Sequence, residues 1–124
     1  MTEQFPPHLA YTPEHQWVDD AEPATVGITW TAQDALGDIV FLELPGPGTA
    51  VTAGAVVGEV ESTKSVSEIF SPVTGTVVET NAAAVEDPAR VNTDPYGEGW
   101  LFRVADAQRG TVLTAQEYQE RFGS

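Results

Sequence analysis

The stretch V-E-S-T-K-S-V-S-E-I-F, residues 60–70, predicts a β-hairpin with a lysine at its tip. Apolar residues run in from Val56 and out to Phe70, and the small or polar residues 62–65 separate the two runs. That pattern is typical of two antiparallel strands joined by a short loop. The tip residue, Lys64, is the only lysine of the chain. Most lysines on turns are simply solvated, but a single lysine in so acidic a sequence indicates that its amine is used.

Outside the hairpin, short β-branched runs separated by glycine and proline predict more short strands with tight turns. The run 38–44 is almost continuously apolar at its centre, which predicts a strand covered on both faces. The sum is one small antiparallel β domain spanning residues 1–124. The other predicted strands are 14–18, 25–30, 73–80 and 100–104.

Helix signals are few and local. Thr31 is a candidate cap for a short helix that ends at Gly37. Residues 81–94 are small, polar and interrupted by proline, so they are predicted to be mostly loop. A T-x-x-E capping box at 114–117 predicts a C-terminal helix that ends at Gly123.

Composition excludes several classes of protein. A hydrophobic content of 41% with 9% aromatics, in 124 residues, is typical of a folded globular chain. No apolar run approaches the roughly 18 residues of a membrane span, and the N-terminus lacks the features of a signal peptide. The chain has no cysteine, which excludes disulfides, thiolate metal sites and a cysteine nucleophile. We therefore expect a cytoplasmic protein.

The charge balance restricts the partners. Five basic and nineteen acidic residues give a formal net charge of −14. A field of that sign repels phosphate, so nucleic acid and anionic membrane surfaces are poor partners. The acidic surface serves either solubility or steering toward basic docking surfaces on larger enzymes. So high a charge also favours a monomer.

The sequence contains no strong catalytic or metal-binding pattern. Phosphate-binding glycine loops, nucleophile elbows and H-E-x-x-H motifs are absent. His8 and His15 have no clustered partners, so no metal site is predicted. An amine at a hairpin tip is poorly suited to Schiff-base catalysis, which uses a desolvated lysine. It is well suited to be an attachment point that other enzymes reach.

Residues 61–67, E-S-T-K-S-V-S, followed by S-P-V-T-G at 71–75, resemble the lipoyl-attachment segment of the glycine cleavage system H protein family. Three further runs are similar to that family, so the resemblance covers nearly the whole chain. They are Y-T-P-E-H-Q-W-V at 11–18, L-G-D-I-V-F-L-E-L-P at 36–45 and V-N-T-D-P-Y-G-E-G-W-L at 91–101.

The resemblance implies a lipoyl/biotinyl-type hybrid barrel-sandwich of short antiparallel strands with short helices. It implies a non-catalytic shuttle in which Lys64 carries covalent lipoate. The partners would be a glycine decarboxylase, an aminomethyltransferase, a dihydrolipoamide dehydrogenase and the lipoylating enzyme. In this family, Glu61 and Gly75 match the positions that the lipoylating enzyme reads.

Two departures from the family pattern concern the cleft that holds the loaded arm. Many members have H-E-W where this chain has H-Q-W, so Gln16 replaces a carboxylate that lies near the arm. Gln16 can hydrogen-bond an amine but carries no charge to pair with it, and Glu14 is a candidate substitute. Trp30 replaces an acidic or polar residue, and it either lines the cleft or packs in the core.

Two other functions remain open from the sequence. The first is an H-like lipoyl carrier that serves another pathway, such as a 2-oxoacid dehydrogenase or sulfur metabolism. The second is an unmodified H-like protein that acts as a lipoate-relay or interaction module. Lys64 and Glu61 argue against a loss of modification.

Overall fold

The computed structural model describes residues 5–122 of the chain. Within them, short strands form two sheets, and short helices connect strands and close the C-terminal end. The strands are β1 (Ala10–Tyr11), β2 (Gln16–Val18), β3 (Ala24–Ile28), β4 (Ile39–Glu43), β5 (Ala50–Val51), β6 (Val56–Ser62), β7 (Val66–Phe70), β8 (Val73–Thr80) and β9 (Phe102–Arg109). The helices are α1 (Trp30–Leu36), α2 (Ala82–Glu86), α3 (Ala89–Thr93) and α4 (Ala115–Phe122).

The strands are arranged in a six-stranded sheet of order β1-β2-β3-β9-β8-β5 and a three-stranded sheet of order β4-β6-β7. Their pairings are antiparallel. This architecture confirms the predicted class, a sandwich of short antiparallel strands with short helices. The predicted hairpin is the β6–β7 pair, in which Glu61 lies opposite Val66.

The main core combines side chains from both sheets. On β8, Val73 and Val77 are buried while Thr74 and Thr76 are exposed, which is the period-two pattern of a strand with one face inward. Val60 and Ile69, one from each arm of the hairpin, belong to the same cluster. Burying each such side chain contributes roughly 1.5–3 kcal/mol. The hairpin is therefore attached to the fold along its inner face, and its tip extends beyond the core.

A second apolar cluster holds α4 against the six-stranded sheet. The Tyr118 ring stacks on Tyr11 with centroids 4.9 Å apart. The capping box is confirmed, because Thr114 Oγ1 accepts from the Glu117 N–H at 3.1 Å and the Glu117 carboxylate accepts from the Thr114 N–H at 2.9 Å. The predicted end of this helix, Gly123, lies outside the described residues.

The start of α1 differs from the sequence prediction. The strand predicted at 25–30 ends earlier, because Thr29 leaves the strand and Trp30 is the first helical residue. Thr29 Oγ1 accepts from the Ala32 N–H at 3.2 Å, so Thr29 caps the helix rather than Thr31. Gly37 ends the helix as predicted.

The prediction that the strand at 38–44 is covered on both faces is wrong. Val40 is 54% exposed and Phe41 is 49% exposed, whereas Ile39 and Leu42 are buried. The register with β6 shifts between Ile39 and Phe41, so this strand does not alternate regularly. One face of the three-stranded sheet is left open.

Two further boundaries are corrected. The segment 81–94 is not mostly loop, since α2 and α3 occupy it on either side of Pro88. Helices of five residues are too short to show a helical period in sequence. The first predicted strand begins only at Gln16, and the last begins at Phe102 and extends to Arg109 because it pairs with β8.

Candidate functional site: the lysine loop

The lysine loop, residues 62–65, is folded by its own serines. Ser62 Oγ accepts from the N–H groups of Lys64 at 3.2 Å and Ser65 at 3.1 Å. The Ser62 N–H donates to the Ser65 carbonyl at 2.8 Å, which closes the turn. Serine favours such turns because its hydroxyl can replace a backbone partner. The backbone at the tip is therefore fixed, while the Lys64 side chain is exposed as predicted.

The loop rests on the turn that joins α1 to β4. The Thr63 N–H donates to the Asp38 carbonyl at 3.0 Å. Gly37, in the same turn, has φ +79°, and a Cβ built on it would lie 3.1 Å from Lys64 Cε. The alkyl chain of Lys64 therefore lies across the glycine, with its amine at the outer end. A glycine serves both needs there, the left-handed backbone and the close approach.

Asn92 of α3 holds this turn from the other side. Its Oδ1 accepts from the Ile39 N–H at 2.9 Å, and its Nδ2 donates to the Gly37 carbonyl at 2.7 Å and to Gln33 Oε1 at 3.1 Å. Sequence reasoning missed Asn92, because its partners lie far away along the chain. The only signal was its place in the run 91–101.

Glu61 lies on β6, three residues before Lys64, on the open face of the three-stranded sheet. It pairs with Phe41 on one side and with Val66 on the other, and both neighbours are exposed apolar residues. Residues opposite one another on paired strands share a face. A half-buried carboxylate flanked by two exposed apolar side chains therefore lies on the strand that leads into the lysine loop.

The next row of the same face consists of carboxylates. Glu59 lies opposite Glu43 on one strand and opposite Glu68 on the other. These three glutamates each lie two residues along their strands from the row of Glu61, so the side chains of both rows point to the same face of the sheet. The strands β4, β6 and β7 contain no arginine or lysine. We call these two rows the acidic face.

Gly75 lies on β8 opposite Val51, in the six-stranded sheet, whereas the lysine loop joins two strands of the three-stranded sheet. A Cβ built on it would lie 2.6 Å from Val104 Cγ1 and 2.7 Å from the Ala105 carbonyl oxygen. Such separations are too short for any side chain. The fold itself requires glycine here, for a reason that the sequence did not reveal.

Glu14 lies in the turn that precedes β2, and Gln16 is the first residue of that strand. Gln16 is 2% exposed, its Oε1 accepts from Thr12 Oγ1 at 3.1 Å and its Nε2 donates to the Glu14 carbonyl at 3.0 Å. The Glu14 side chain is exposed and borders a concavity of about 450 Å³ at the base of the hairpin, near Gly54 and Ser71. The structure thus places Glu61 on β6, the strand that leads into the lysine loop, and places Glu14 and Gln16 near the opposite end of α1 from Lys64.

Trp30 is half-buried at the start of α1 and belongs to neither apolar cluster of the described residues. Its N–H donates to Tyr96 Oη at 2.9 Å. Burial raises the pKa of Tyr96 to about 12. The Trp30 backbone is thus bonded to Tyr96, while its side chain lies outside both apolar clusters of the described residues.

Within residues 5–122, no group of three or more histidine, aspartate or glutamate side chains is arranged to hold a metal ion. Over the same residues, no helix has the length and apolarity needed to cross a membrane. The chemical feature that the described residues present is a single exposed primary amine on a fixed loop.

Comparison with known proteins identifies the family of this chain. The family model described as Glycine cleavage H-protein matches residues 9–123. The chain belongs to the glycine cleavage H-protein family. A glycine cleavage system H protein of Beutenbergia cavernae is 55% identical over 114 residues, covering 91% of this chain and 92% of the relative. One of Thermobifida fusca is 54% identical over 117 residues, covering 93% of each.

A solved structure supports the same conclusion. The crystal structure of a glycine cleavage system H protein from Mycobacterium marinum superposes with a TM-score of 0.91 at 48% identity, covering 96% of this chain and 99% of that one. The chain accordingly has the role of its family, the lipoyl-carrier shuttle of the glycine cleavage system.

Proposed function

We propose that Lys64 is the residue that carries the lipoyl group, in amide linkage, and that the chain itself catalyses no step. Bound lipoate would supply a reversible disulfide that takes up a one-carbon unit and electrons. The proposed partners are a glycine decarboxylase, an aminomethyltransferase, a dihydrolipoamide dehydrogenase and a lipoylating enzyme, in the cytoplasm.

The observation that carries this proposal is the placement of the only lysine. Acylation needs an accessible amine, and Lys64 is exposed with no ion pair to any residue in the described range 5–122. It also needs a backbone that presents the amine in one way, which the Ser62 turn and the bond from Thr63 to Asp38 provide. The residues present therefore fit the group.

Intact-mass measurement tests the proposal. Treatment of the purified chain with a lipoylating enzyme, lipoate and ATP is expected to add one lipoyl group. A further mass increase should appear only when glycine and a glycine decarboxylase are added. A lipoyl adduct that never responds to glycine would indicate a carrier for another pathway, and no adduct at all would indicate an unmodified module.

The acidic face is the surface that we propose for contact with these partners. It combines the carboxylates of Glu43, Glu59 and Glu68 with the exposed side chains of Phe41 and Val66, next to the lysine loop. Complementary charge speeds encounter and fixes orientation, and exposed apolar side chains add contact area. A basic surface with an apolar depression would fit it.

Neutralising this face should weaken the encounter in a salt-dependent way. We expect the triple variant Glu43→Gln, Glu59→Gln, Glu68→Gln, once lipoylated, to show about a tenfold higher KM with glycine decarboxylase at low ionic strength. About 0.5 kcal/mol from each of the three charges gives that factor. The difference should shrink at 0.5 M salt, because salt screens exposed charges.

A matched control has the same change of net charge elsewhere on the surface. Asp20→Asn, Glu86→Gln, Glu120→Gln removes three exposed carboxylates that lie outside the acidic face. Its KM should stay within about twofold of wild type. Equal effects of the two triple variants would show that overall charge matters and not this face.

Helix α1 lies between the lysine loop and the segment that contains Glu14 and Gln16. Lys64 lies on Gly37 at one end of α1, and the Thr29 N–H donates to the His15 carbonyl at the other. A helix of seven residues is about 10 Å long. We propose that a loaded arm lies along α1, past Trp30.

A negative charge at position 16 should alter the rate at which the glycine-derived group is released from the loaded arm. We expect Gln16→Glu to slow hydrolytic release of the glycine-derived group several-fold, because a carboxylate can pair with its amine. The buried position also predicts a loss of about 1–3 kcal/mol in unfolding free energy, since Gln16 Nε2 loses its bond to the Glu14 carbonyl. The measurement is the release rate from the loaded protein, followed by mass.

Glu14→Gln is the companion variant, and its exposed side chain makes it a mild change. If Glu14 supplies the missing charge, its removal should speed release. Unchanged rates in both variants would exclude this turn as the resting place of the arm.

A further inference from the structure

We propose that Asn92 is a positioning residue for the modification of Lys64, acting through one peptide group. The proposal rests on the function proposed above for Lys64. The hydrogen bonds that Asn92 makes go to Gln33, Gly37 and Ile39 and not to the lysine loop, so its effect would pass through the turn between α1 and β4.

The peptide group that joins Asp38 to Ile39 is the link. Its N–H donates to Asn92 Oδ1 at 2.9 Å, and its carbonyl accepts from the Thr63 N–H at 3.0 Å. A trans peptide is planar, with its N–H and C=O directed to opposite sides. Asn92 and the lysine loop therefore bind the two ends of one rigid unit. Hydrogen bonds in such a series also strengthen one another.

The preceding peptide group is held as well. Asn92 Nδ2 donates to the Gly37 carbonyl at 2.7 Å and to Gln33 Oε1 at 3.1 Å. Gly37 has φ +79°, where glycine is unusually free to change conformation. A turn built on glycine thus needs an external restraint, and Asn92 restrains the peptide groups on both sides of Asp38.

Loss of Asn92 should lower the fraction of molecules in which the lysine loop has the conformation that the lipoylating enzyme binds. If Asn92 is lost, the Asp38 carbonyl is free to rotate away, and the Thr63 N–H loses its partner. An enzyme that binds only the ordered loop then meets a smaller competent population, which raises its apparent KM by the inverse of that fraction. The chemical step, once the loop is bound, is unchanged.

Asn81 provides a matched control. Its Nδ2 donates to two backbone carbonyls, those of Glu98 at 2.8 Å and Trp100 at 2.7 Å, so its removal should disturb the fold to a similar degree. None of these bonds involves the turn beneath the lysine loop. Asn81→Ala and Asn92→Ala are therefore expected to lower the melting temperature comparably.

The two variants should differ in lipoylation. With a lipoylating enzyme, lipoate and ATP, we expect Asn92→Ala to raise the KM for the protein about tenfold while kcat changes less than about twofold. Asn81→Ala should leave both constants unchanged. A kcat loss without a KM change, or equal KM effects in the two variants, would overturn the proposal.

Amide hydrogen exchange gives a readout that does not depend on the enzyme. The Thr63 amide should exchange about tenfold faster in Asn92→Ala than in wild type, and at the wild-type rate in Asn81→Ala. Failure of the wild type to become lipoylated would refute the function proposed for Lys64, and the exchange rates would still decide whether Asn92 holds the loop.

A milder variant covers the case in which Asn92→Ala does not fold. Asn92→Asp keeps an acceptor for the Ile39 N–H but loses the donor to the Gly37 carbonyl. Because the link to Thr63 is kept, its KM should rise less than about threefold. A Thr63 amide that exchanges about tenfold faster in Asn92→Asp than in wild type would contradict the role of the Asp38–Ile39 peptide group.

Discussion

Replacement of Lys64 by arginine is expected to abolish lipoylation, with a fall of at least about 100-fold in adduct formation. Arginine keeps the positive charge and much of the length of the side chain, but its guanidinium does not present a free amine for acylation. Because the chain has no other lysine, no side chain is available to take over. The measurement is intact mass after exhaustive treatment with a lipoylating enzyme, lipoate and ATP. Glycine-dependent turnover with the partner enzymes should disappear with the adduct.

A positional control keeps the amine and moves it by one residue. In the double variant Thr63→Lys, Lys64→Arg, the loop again carries one lysine, but on the residue whose N–H is bonded to Asp38. We expect little or no modification of this variant. A lipoyl group found on Lys64→Arg, located by peptide mapping, would show that another site accepts it.

Gly75→Ala is expected to lower the free energy of unfolding by about 3 kcal/mol, the upper part of the range for overpacking. The added Cβ would meet Val104 Cγ1 at 2.6 Å and the Ala105 carbonyl at 2.7 Å. The backbone oxygen cannot turn aside as a side chain would, so β8 and β9 must separate locally. For a chain of this size the melting temperature should fall by roughly 10 °C. Chemical denaturation with unchanged slope would measure the loss.

Gly46→Ala is the control for this substitution. No atom lies within 4 Å of a Cβ built on Gly46, so its stability should change little. The family resemblance assigns Gly75 to recognition by the lipoylating enzyme, and this experiment separates the two roles. Normal melting of Gly75→Ala with slow lipoylation would favour recognition, whereas poor melting with normal lipoylation of the folded protein would favour packing.

The parts of the fold that are predictable from the sequence are those with local causes. The hairpin has apolar arms around a short polar loop, and the capping box at Thr114 and Glu117 lies within four residues. The exposure of Phe41 is not predictable in this way. An apolar run shows that a strand is compatible with burial, but only tertiary contacts decide which face is covered.

The candidate site likewise has parts that are predictable from the sequence and parts that are not. The position of Lys64 at the tip follows from the hairpin, and the position of Glu61 follows from the strand that leads into that tip. The support of the loop does not, because Asn92 is bonded to groups 53 and 55 positions earlier in the chain. A side chain with several polar groups can satisfy many partners, and nothing local indicates which it chooses.

The fixed backbone of the lysine loop has a consequence for transport. A lipoyl arm attached there would have a fixed point of attachment, so its free end would sample only the volume that the length of the arm allows. Once an enzyme has docked, the step from one active site to the arm becomes intramolecular, with an effective concentration that reaches the millimolar range for short tethers. The rigidity of four residues at a hairpin tip would then set the effective concentration of the carried group at the active site of each enzyme that the protein binds.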